Sequence, residues 1–109
     1  MTFAESIQTC FSKYADFNGR ARRSEYWWFF LFIVLVSLAL AMVSDIVSGL
    51  FSLGILLPSI AAAARRLHDT NRSGWWQLIA LIPVIGGIVL IVFLAQEGVA
   101  EANQYGEMP

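Results

Sequence analysis

The chain has 109 residues, of which 58% are hydrophobic and 14% are charged, and its formal net charge at pH 7 is −1. A chain of this length folds as a single unit, and so few polar side chains do not cover the surface of a water-soluble domain. The near-zero net charge argues against a generally basic nucleic-acid binder. Cys10 is the single cysteine, which excludes an intramolecular disulfide and a cysteine-rich metal site. We expect Cys10 to be buried as a small apolar side chain.

An amphipathic helix is predicted over residues 1–19. The segment lacks a basic leader followed by a small-residue cleavage site, so we expect no cleaved signal peptide. Packing against the ends of the spanning helices is favoured over a position flat in the membrane interface, and Asn18 with Gly19 supplies the turn that ends the helix. The apolar side chains recur at helical spacings: Phe3, Ile7, Cys10, Phe11, Tyr14 and Phe17.

Three longer segments, over residues 27–44, 46–64 and 75–95, predict membrane-spanning helices. None contains Asp, Glu, Lys or Arg, and a hydrocarbon core of roughly 30 Å is crossed by about 20 helical residues. The first segment also lacks the alternating polarity of a β-barrel strand. The sequence therefore predicts an all-α membrane protein. It forms a single membrane domain over residues 1–109, with three transmembrane helices preceded by the amphipathic helix and followed by a polar tail over residues 96–109.

The positions of the basic residues predict the orientation in the membrane. All seven precede the first span or lie between the second and third, and cytoplasmic loops are the ones enriched in Lys and Arg. We therefore expect a cytoplasmic N-terminus and a periplasmic or extracellular C-terminus. If residues 46–64 re-enter the membrane without crossing it, the tail is cytoplasmic instead. The seven are Lys13, Arg20, Arg22, Arg23, Arg65, Arg66 and Arg72.

Small residues and prolines inside the spans predict how the helices pack. Three serines spaced four residues apart, next to Gly49, form a smooth stripe, and contact within the monomer is favoured over a dimer interface. Pro58 and Pro83 are expected to bend their helices, and the Gly86-Gly87 pair permits close helix contact. The serines are Ser44, Ser48 and Ser52.

Two boundary segments, over residues 19–28 and 65–76, share one arrangement. In each, arginines stand just before a pair of tryptophans, as expected where guanidinium groups reach lipid phosphates and indoles settle at the interface. Ser24 and Ser73 are predicted helix N-caps. The predicted interface anchors are Trp27, Trp28, Trp75 and Trp76.

These boundaries supply the candidate functional residues. Arginines and carboxylates on the same side of the membrane predict a salt-bridge network that joins the N-terminal segment to the central loop, and surplus arginines are expected to bind anionic lipid headgroups. A homo-oligomer or a membrane protein partner is also compatible with this surface, whereas no cofactor, metal or nucleic acid is expected. The candidates are Arg20, Arg22, Arg23, Glu25, Arg65, Arg66, His68, Asp69 and Arg72.

The function favoured by these features is that of a non-catalytic structural, lipid-interacting or partner-binding membrane module. One alternative is an oligomeric channel or small-solute transporter assembled through the serine stripe, although the spans hold no ionisable group to mark an ion path. Another is a lipid-modifying enzyme with His68 as general base next to Asp69. That alternative lacks a nucleophile motif or a second histidine.

Four motifs together resemble a known family. Residues 19–27 read Gly-Arg-Ala-Arg-Arg-Ser-Glu-Tyr-Trp, 65–70 read Arg-Arg-Leu-His-Asp-Thr, 72–76 read Arg-Ser-Gly-Trp-Trp, and 81–86 read Leu-Ile-Pro-x-Ile-Gly. In combination they resemble the bacterial inner-membrane family called domain of unknown function 805. The tail resembles the family's closing pattern through Gly98, Asn103, Tyr105, Gly106 and Pro109.

This resemblance covers nearly the whole chain, with two departures. Asn71 stands where many members carry glycine, a mild change because asparagine tolerates a left-handed turn. Glu101 stands where the tail often has a second glycine, which is expected to loosen the turn. The resemblance implies a small multi-pass protein of the bacterial inner (plasma) membrane, and it brings no assigned activity or catalytic residues.

Overall fold

The computed structural model describes residues 2–99, 101, 103, 105 and 106. Within this part of the chain the regular structure is helical, and the β-pairing is one isolated bridge between Asn103 and Gly106. The predicted all-α class is thus confirmed for the described residues. The elements are α1 (Phe3–Ser12), α2 (Arg23–Ala41), α3 (Asp45–Asp69), a 3-10 segment (Gly74–Leu81) and α4 (Ile85–Ala95).

Helix α1 is shorter than the predicted amphipathic helix over residues 1–19. A capping box starts it, in which the Thr2 hydroxyl accepts from the Glu5 amide at 3.2 Å and the Glu5 carboxylate accepts from the Thr2 amide at 3.1 Å. It ends at Ser12, because the chain then forms a turn in which the Asp16 carboxylate accepts from the Asn18 amide at 2.9 Å.

Helix α1 packs along the first half of α2, the arrangement favoured from the sequence. Phe3 meets the ring of Trp28 edge-on at 5.7 Å, and Phe11 meets Phe29 edge-on at 5.6 Å. Cys10 lies inside this interface with no exposed surface, which confirms the expected burial. The aromatic edges fix the position of α1 because such contacts require a defined ring geometry.

Helices α2 and α3 form an antiparallel pair joined by a tight turn. Their 19 and 25 residues are long and apolar enough to cross a membrane, with lengths of about 28 and 37 Å at roughly 1.5 Å per residue. The hydroxyl of Ser44 caps α3 by accepting from the Val47 amide at 3.4 Å. Helix α3 continues past the predicted end at residue 64 as far as Asp69. Arginine favours helices, and within this extension Arg66 forms an ion pair with Asp69.

The third apolar segment differs from the prediction, since residues 75–95 do not form one continuous helix. The 3-10 segment ends at Leu81 and α4 begins only at Ile85. Between them Val84 has a φ of 64°, and the Ile85 amide donates to the Pro83 carbonyl at 2.7 Å, which is the geometry of a classic γ-turn. Pro83 has no amide with which to continue a helix and disfavours helical backbone in the residue before it, so the chain turns here.

The two arms on either side of this turn pack against each other as a hairpin. Trp76 meets the Phe93 ring edge-on at 5.6 Å, and Gly86 lies so close to the Ile79 carbonyl that a side chain would overlap it. Each arm is about 16 Å long, roughly half a hydrocarbon core. The prediction of one continuous third helix is therefore wrong, and a third membrane span is not confirmed. The close contact expected of the Gly86-Gly87 pair is confirmed at Gly86, whereas nothing lies within 4 Å of a Cβ built on Gly87.

Because the hairpin returns, the tail reaches the end of the molecule that carries the arginines. The Val99 amide donates to the Asp69 carbonyl at 2.8 Å, and the Leu94 carbonyl accepts from Arg66 Nε at 2.8 Å. The predicted arrangement, with the tail and the arginines at opposite ends of three spans, is corrected accordingly. The described tail residues and Arg20 are neighbours.

The serine stripe on α3 does not make the contact that the sequence favoured. Gly49 and Ser52 are exposed, nothing lies within 4 Å of a Cβ built on Gly49, and the Ser52 hydroxyl donates to the Ser48 carbonyl of its own helix at 3.0 Å. Ser44 serves as the cap of α3. The helix continues through Pro58, which is fully buried.

Candidate functional site: a buried arginine clasp

Five charged residues meet at one end of the helices, and we call them the arginine clasp. Arg20 comes from the loop before α2, and Glu25 from the first turn of α2. Arg65, Arg66 and Asp69 come from the last turns of α3. All five are buried, at most 5% exposed. Burying an ionised group is costly unless the group is paired, so the partners of each residue show how its burial is compensated.

Asp69 is the centre of the clasp and holds two arginines at once. Its Oδ1 accepts from Arg20 Nε at 2.9 Å, and its Oδ2 accepts from Arg66 Nη1 at 2.7 Å. The first pair joins the loop before α2 to α3, and the second lies within the last turn of α3. One carboxylate thus ties two parts of the chain together through charge-assisted hydrogen bonds.

Arg65 forms the third ion pair, with Glu25. Its Nε and Nη2 atoms have no hydrogen-bond acceptor among the described residues. The backbone carbonyl of Glu25 accepts from the hydroxyl of Ser6 and lies 3.9 Å from the sulfur of Cys10. Through these contacts the start of α2 is bound to both α1 and α3.

Arg66 also binds backbone carbonyls from two other parts of the chain. Its Nε donates to Leu94 at 2.8 Å, its Nη1 donates to Ala21 at 3.2 Å, and its Nη2 donates to Gln96. The end of α4 and the loop before α2 are therefore held by one guanidinium group. Carbonyl oxygens at the end of a helix have no partner within it, and Arg66 supplies one.

Arg20 binds backbone carbonyls of the tail in the same way. Its Nη1 donates to the carbonyl of Glu101 at 2.8 Å and lies 3.3 Å from that of Gly106, while its Nη2 donates to the carbonyl of Val99. Gly98 is pressed against the Asp69 carboxylate, where a Cβ atom would overlap it. The tail is thus fixed mainly through its backbone.

His68 lies between the loop before α2 and the tail. Its Nδ1 is 2.8 Å from the carbonyl of Gly19, and its ring stacks on Tyr105 with centroids 3.9 Å apart. The side-chain amide of Asn103 donates to the His68 carbonyl at 3.0 Å. The carboxylate of the neighbouring Asp69 is engaged by arginines. The structure therefore places His68 in a packing position, and its catalytic use stays a prediction.

Three candidate arginines lie outside the clasp. Arg22 and Arg23 are exposed at the start of α2. The guanidinium of Arg72 lies 4.1 Å from the centre of the Phe93 ring, and its Nη1 donates to the Gln96 side chain at 2.7 Å. The nine candidates thus divide into a buried group, built around Asp69 and Glu25, and an exposed or partly exposed group.

The predicted tryptophan anchors differ in exposure, and one of the two predicted serine caps forms. The indole of Trp27 packs inward and donates to the Leu94 carbonyl at 3.2 Å, while Trp75 is 78% exposed. Ser73 caps the 3-10 segment by accepting from the Trp75 amide at 3.3 Å, as predicted. Ser24 is not a cap, because α2 begins one residue earlier at Arg23.

Sequence reasoning missed the tail as part of the site. Its acceptors are backbone carbonyls, which have no residue signature. Gly98 was the available signal, since a glycine in an otherwise irregular segment often marks close backbone approach. The predicted left-handed turn at Asn71 is present, with a φ of 61°.

Comparisons with known proteins agree with the resemblance noted above. The inner membrane protein YhaI of Escherichia coli strain K12 is 45% identical over 103 residues, covering 88% of this chain and 87% of that protein. The inner membrane protein YhaH of the same strain is 38% identical over 107 residues, covering 88% of each. No solved structure matches the chain. The family described as protein of unknown function (DUF805) matches residues 14–107, and the chain therefore belongs to that family.

Proposed function

We propose that this chain is a non-catalytic inner-membrane protein in which the arginine clasp has a structural role, while the exposed arginines face anionic lipid headgroups. One observation carries the proposal: every guanidinium nitrogen of Arg20 and Arg66 has a protein acceptor. A guanidinium group has five N–H donors, and these contacts engage all five in Arg20 and four of the five in Arg66, so little of either group is left to bind a substrate. Arg22 and Arg23, in contrast, are exposed at the same end.

We further propose that α2 and α3 cross the membrane and that the hairpin over residues 74–95 enters and leaves on the cytoplasmic side. The arms of the hairpin are about half a hydrocarbon core long. The arginine-bearing end is the one expected in the cytoplasm, since basic residues are enriched there. Both the N-terminal segment and the tail then face the cytoplasm, which replaces the expectation of a periplasmic C-terminus.

Site-directed thiol labelling tests this topology. In a Cys10→Ala background, single cysteines replace Asn18, Asp45 and Glu97, all of which are exposed. An impermeant maleimide is applied to sealed vesicles of both orientations. We expect labelling of Asn18→Cys and Glu97→Cys from the cytoplasmic face and of Asp45→Cys from the opposite face. Labelling of Glu97→Cys from the same face as Asp45→Cys contradicts the re-entrant hairpin.

The structural role of the clasp is tested by paired substitutions. Arg66→Gln is expected to lower the thermal stability of the protein in detergent and its level in the membrane, whereas Lys13→Gln, which removes a positive charge outside the clasp, leaves both unchanged. The non-catalytic assignment has its own test: lipid extracts from cells that produce the wild type or His68→Ala are compared by mass spectrometry. A product that depends on His68 overturns it.

A further inference from the structure

An open slot of about 350 Å³ runs along one face of α2. It is lined by Arg23, Ser24, Trp27, Trp28 and Leu31. Residues four apart in a helix lie above one another, so these five form a continuous strip about two turns long. The strip is polar where α2 begins and apolar towards the middle of the membrane.

The walls of the slot are two indole rings held by different neighbours. Trp27 donates its Nε1 hydrogen to the Leu94 carbonyl of α4 at 3.2 Å. Trp28 packs edge-on against Phe3 of α1 at 5.7 Å. Each wall is therefore anchored outside α2, and the space between the rings does not depend on a ligand for its shape.

The polar end of the slot lies beside two exposed arginines. Arg22 and Arg23 are exposed, and in the part of the chain that the structure describes neither forms an ion pair with a carboxylate. Glu5 of α1 is held in the capping box, where hydrogen bonds with Thr2 and, to a smaller extent, the charge of Arg22 lower the pKa of its carboxyl group. The clasp arginines are buried and Arg72 lies over the Phe93 ring, so Arg22 and Arg23 are the arginines that remain exposed beside the slot.

We infer that the slot seats an anionic phospholipid. Its phosphate lies against Arg22 and Arg23, and one acyl chain runs between the two indoles towards Leu31. A free phosphate leaves the apolar walls uncovered, and a zwitterionic lipid leaves the two positive charges without net compensation, so an anionic lipid fits both ends. The inference rests on the proposed function, in which the exposed arginines face anionic headgroups, and deepens it by giving such a lipid a defined seat and its acyl chain a path between the indoles.

Native mass spectrometry of the full chain tests the inference. Protein in mild detergent is titrated with phosphatidylglycerol or phosphatidylcholine of the same acyl chains, and the retained lipids are counted. We expect one tightly held phosphatidylglycerol with a preference of about 25-fold over phosphatidylcholine, because each basic residue near the surface contributes roughly a fivefold preference. Equal retention of the two lipids overturns the inference.

Charge variants locate the headgroup. Arg22→Gln with Arg23→Gln is expected to abolish the preference, while Lys13→Gln, which removes one charge just after α1, preserves it. A preference that survives the double substitution, or that Lys13→Gln weakens as strongly, shows a diffuse charge effect and contradicts a seat on α2. Glycerol 3-phosphate at millimolar concentration is expected not to displace the lipid, and full displacement contradicts a role for the acyl chain.

Slot variants locate the acyl chain. Leu31→Trp fills the slot and is expected to release phosphatidylglycerol, whereas Leu35→Trp, one turn further along α2 and outside the slot, retains it. Unchanged retention in Leu31→Trp overturns the inference. Each variant is accompanied by a thermal unfolding curve in detergent, which keeps lipid loss distinct from loss of fold. Failure of the proposed function appears in the Arg66→Gln and labelling experiments, which do not involve the slot.

Discussion

The Nε atom of Arg20 lies 2.9 Å from Oδ1 of Asp69, although 49 residues separate the two in the sequence. Both side chains are almost completely buried, and the same carboxylate also binds Arg66. The loop before α2, the end of α3 and the tail thereby share one electrostatic centre. The stability of this end of the molecule is expected to depend on that centre more than on apolar packing.

Asp69→Asn is expected to destabilise the protein by about 3–5 kcal/mol, because it leaves two buried guanidinium groups without their carboxylate. Asp45→Asn removes an exposed carboxylate from the other end of α3 and serves as the matched control. The measurement is thermal or denaturant unfolding in detergent. Equal stability of the two variants contradicts the central role of Asp69.

Gly86→Ala is expected to destabilise the hairpin by roughly 1–3 kcal/mol, since the added Cβ overlaps the Ile79 carbonyl and forces the arms apart. The neighbouring Gly87 has nothing within 4 Å of a built Cβ. Gly87→Ala should therefore be neutral or slightly stabilising, as alanine favours helices. The same unfolding assay compares the pair, and a similar loss at both positions would argue against the close approach of the two arms.

Gly98→Ala is expected to loosen the tail without unfolding the helices, because the new Cβ meets the Asp69 carboxylate. The hydrogen bond from the Val99 amide to the Asp69 carbonyl should weaken. Hydrogen exchange at Val99 is expected to accelerate up to roughly tenfold, since one such bond contributes about 0.5–1.5 kcal/mol.

The control for the tail experiment is Gly49→Ala, at an exposed position on α3 where nothing lies within 4 Å. Exchange at Val99 should be the same in this variant as in the wild type. Unchanged exchange in Gly98→Ala shows that the tail is not held against Asp69.

The thiol of Cys10 is expected to react slowly with maleimide. Burial, together with the negative charge of Glu25, raises its pKa to about 11 from the usual 9.0. The thiolate is the reactive form, so at pH 8 the folded protein should react roughly 100-fold more slowly than an ordinary cysteine, and the rate should keep rising up to about pH 11.

Two comparisons check the Cys10 prediction. Denaturation in dodecyl sulfate should restore the ordinary rate, and Asn18→Cys in the Cys10→Ala background should react rapidly in the folded protein because Asn18 is exposed. Cys10 reacting as fast as the introduced cysteine would mean that the contact between α1 and α2 opens readily.

Some features of this fold were predictable because they depend on local composition. The segments over residues 27–44 and 46–64, which form most of α2 and α3, lack charged side chains over a length that spans a bilayer. The short chain carries its arginines in two clusters, and the structure brings Arg20 together with Arg65 and Arg66. The turn residue Asn71 and the cap Ser73 also have the conformations that their side chains favour.

Other features were not predictable in the same way. Pro83 was expected to bend a helix, but whether a proline bends or ends a helix depends on what holds the two halves, and here the approach of Gly86 to Ile79 stabilises a full reversal. The division of the arginines into buried and exposed groups depends on carbonyl groups of the tail. Backbone carbonyls are the same at every position, so the sequence does not reveal which of them an arginine will bind.

By itself, then, the sequence determined the membrane location, the helical class, the family and the accumulation of positive charge at the ends of the spans. The length of an apolar segment and the positions of charged residues follow directly from the sequence. They can be determined without knowing which residues are in contact in the folded protein. The tertiary structure decided that the third apolar segment turns back, that Asp69 gathers the N-terminal loop and the tail, and that Arg22 and Arg23 remain exposed beside an apolar slot. These outcomes depend on contacts between residues that are distant in the sequence. One close backbone contact or one shared carboxylate favours a single arrangement over others that a chain of the same composition could form.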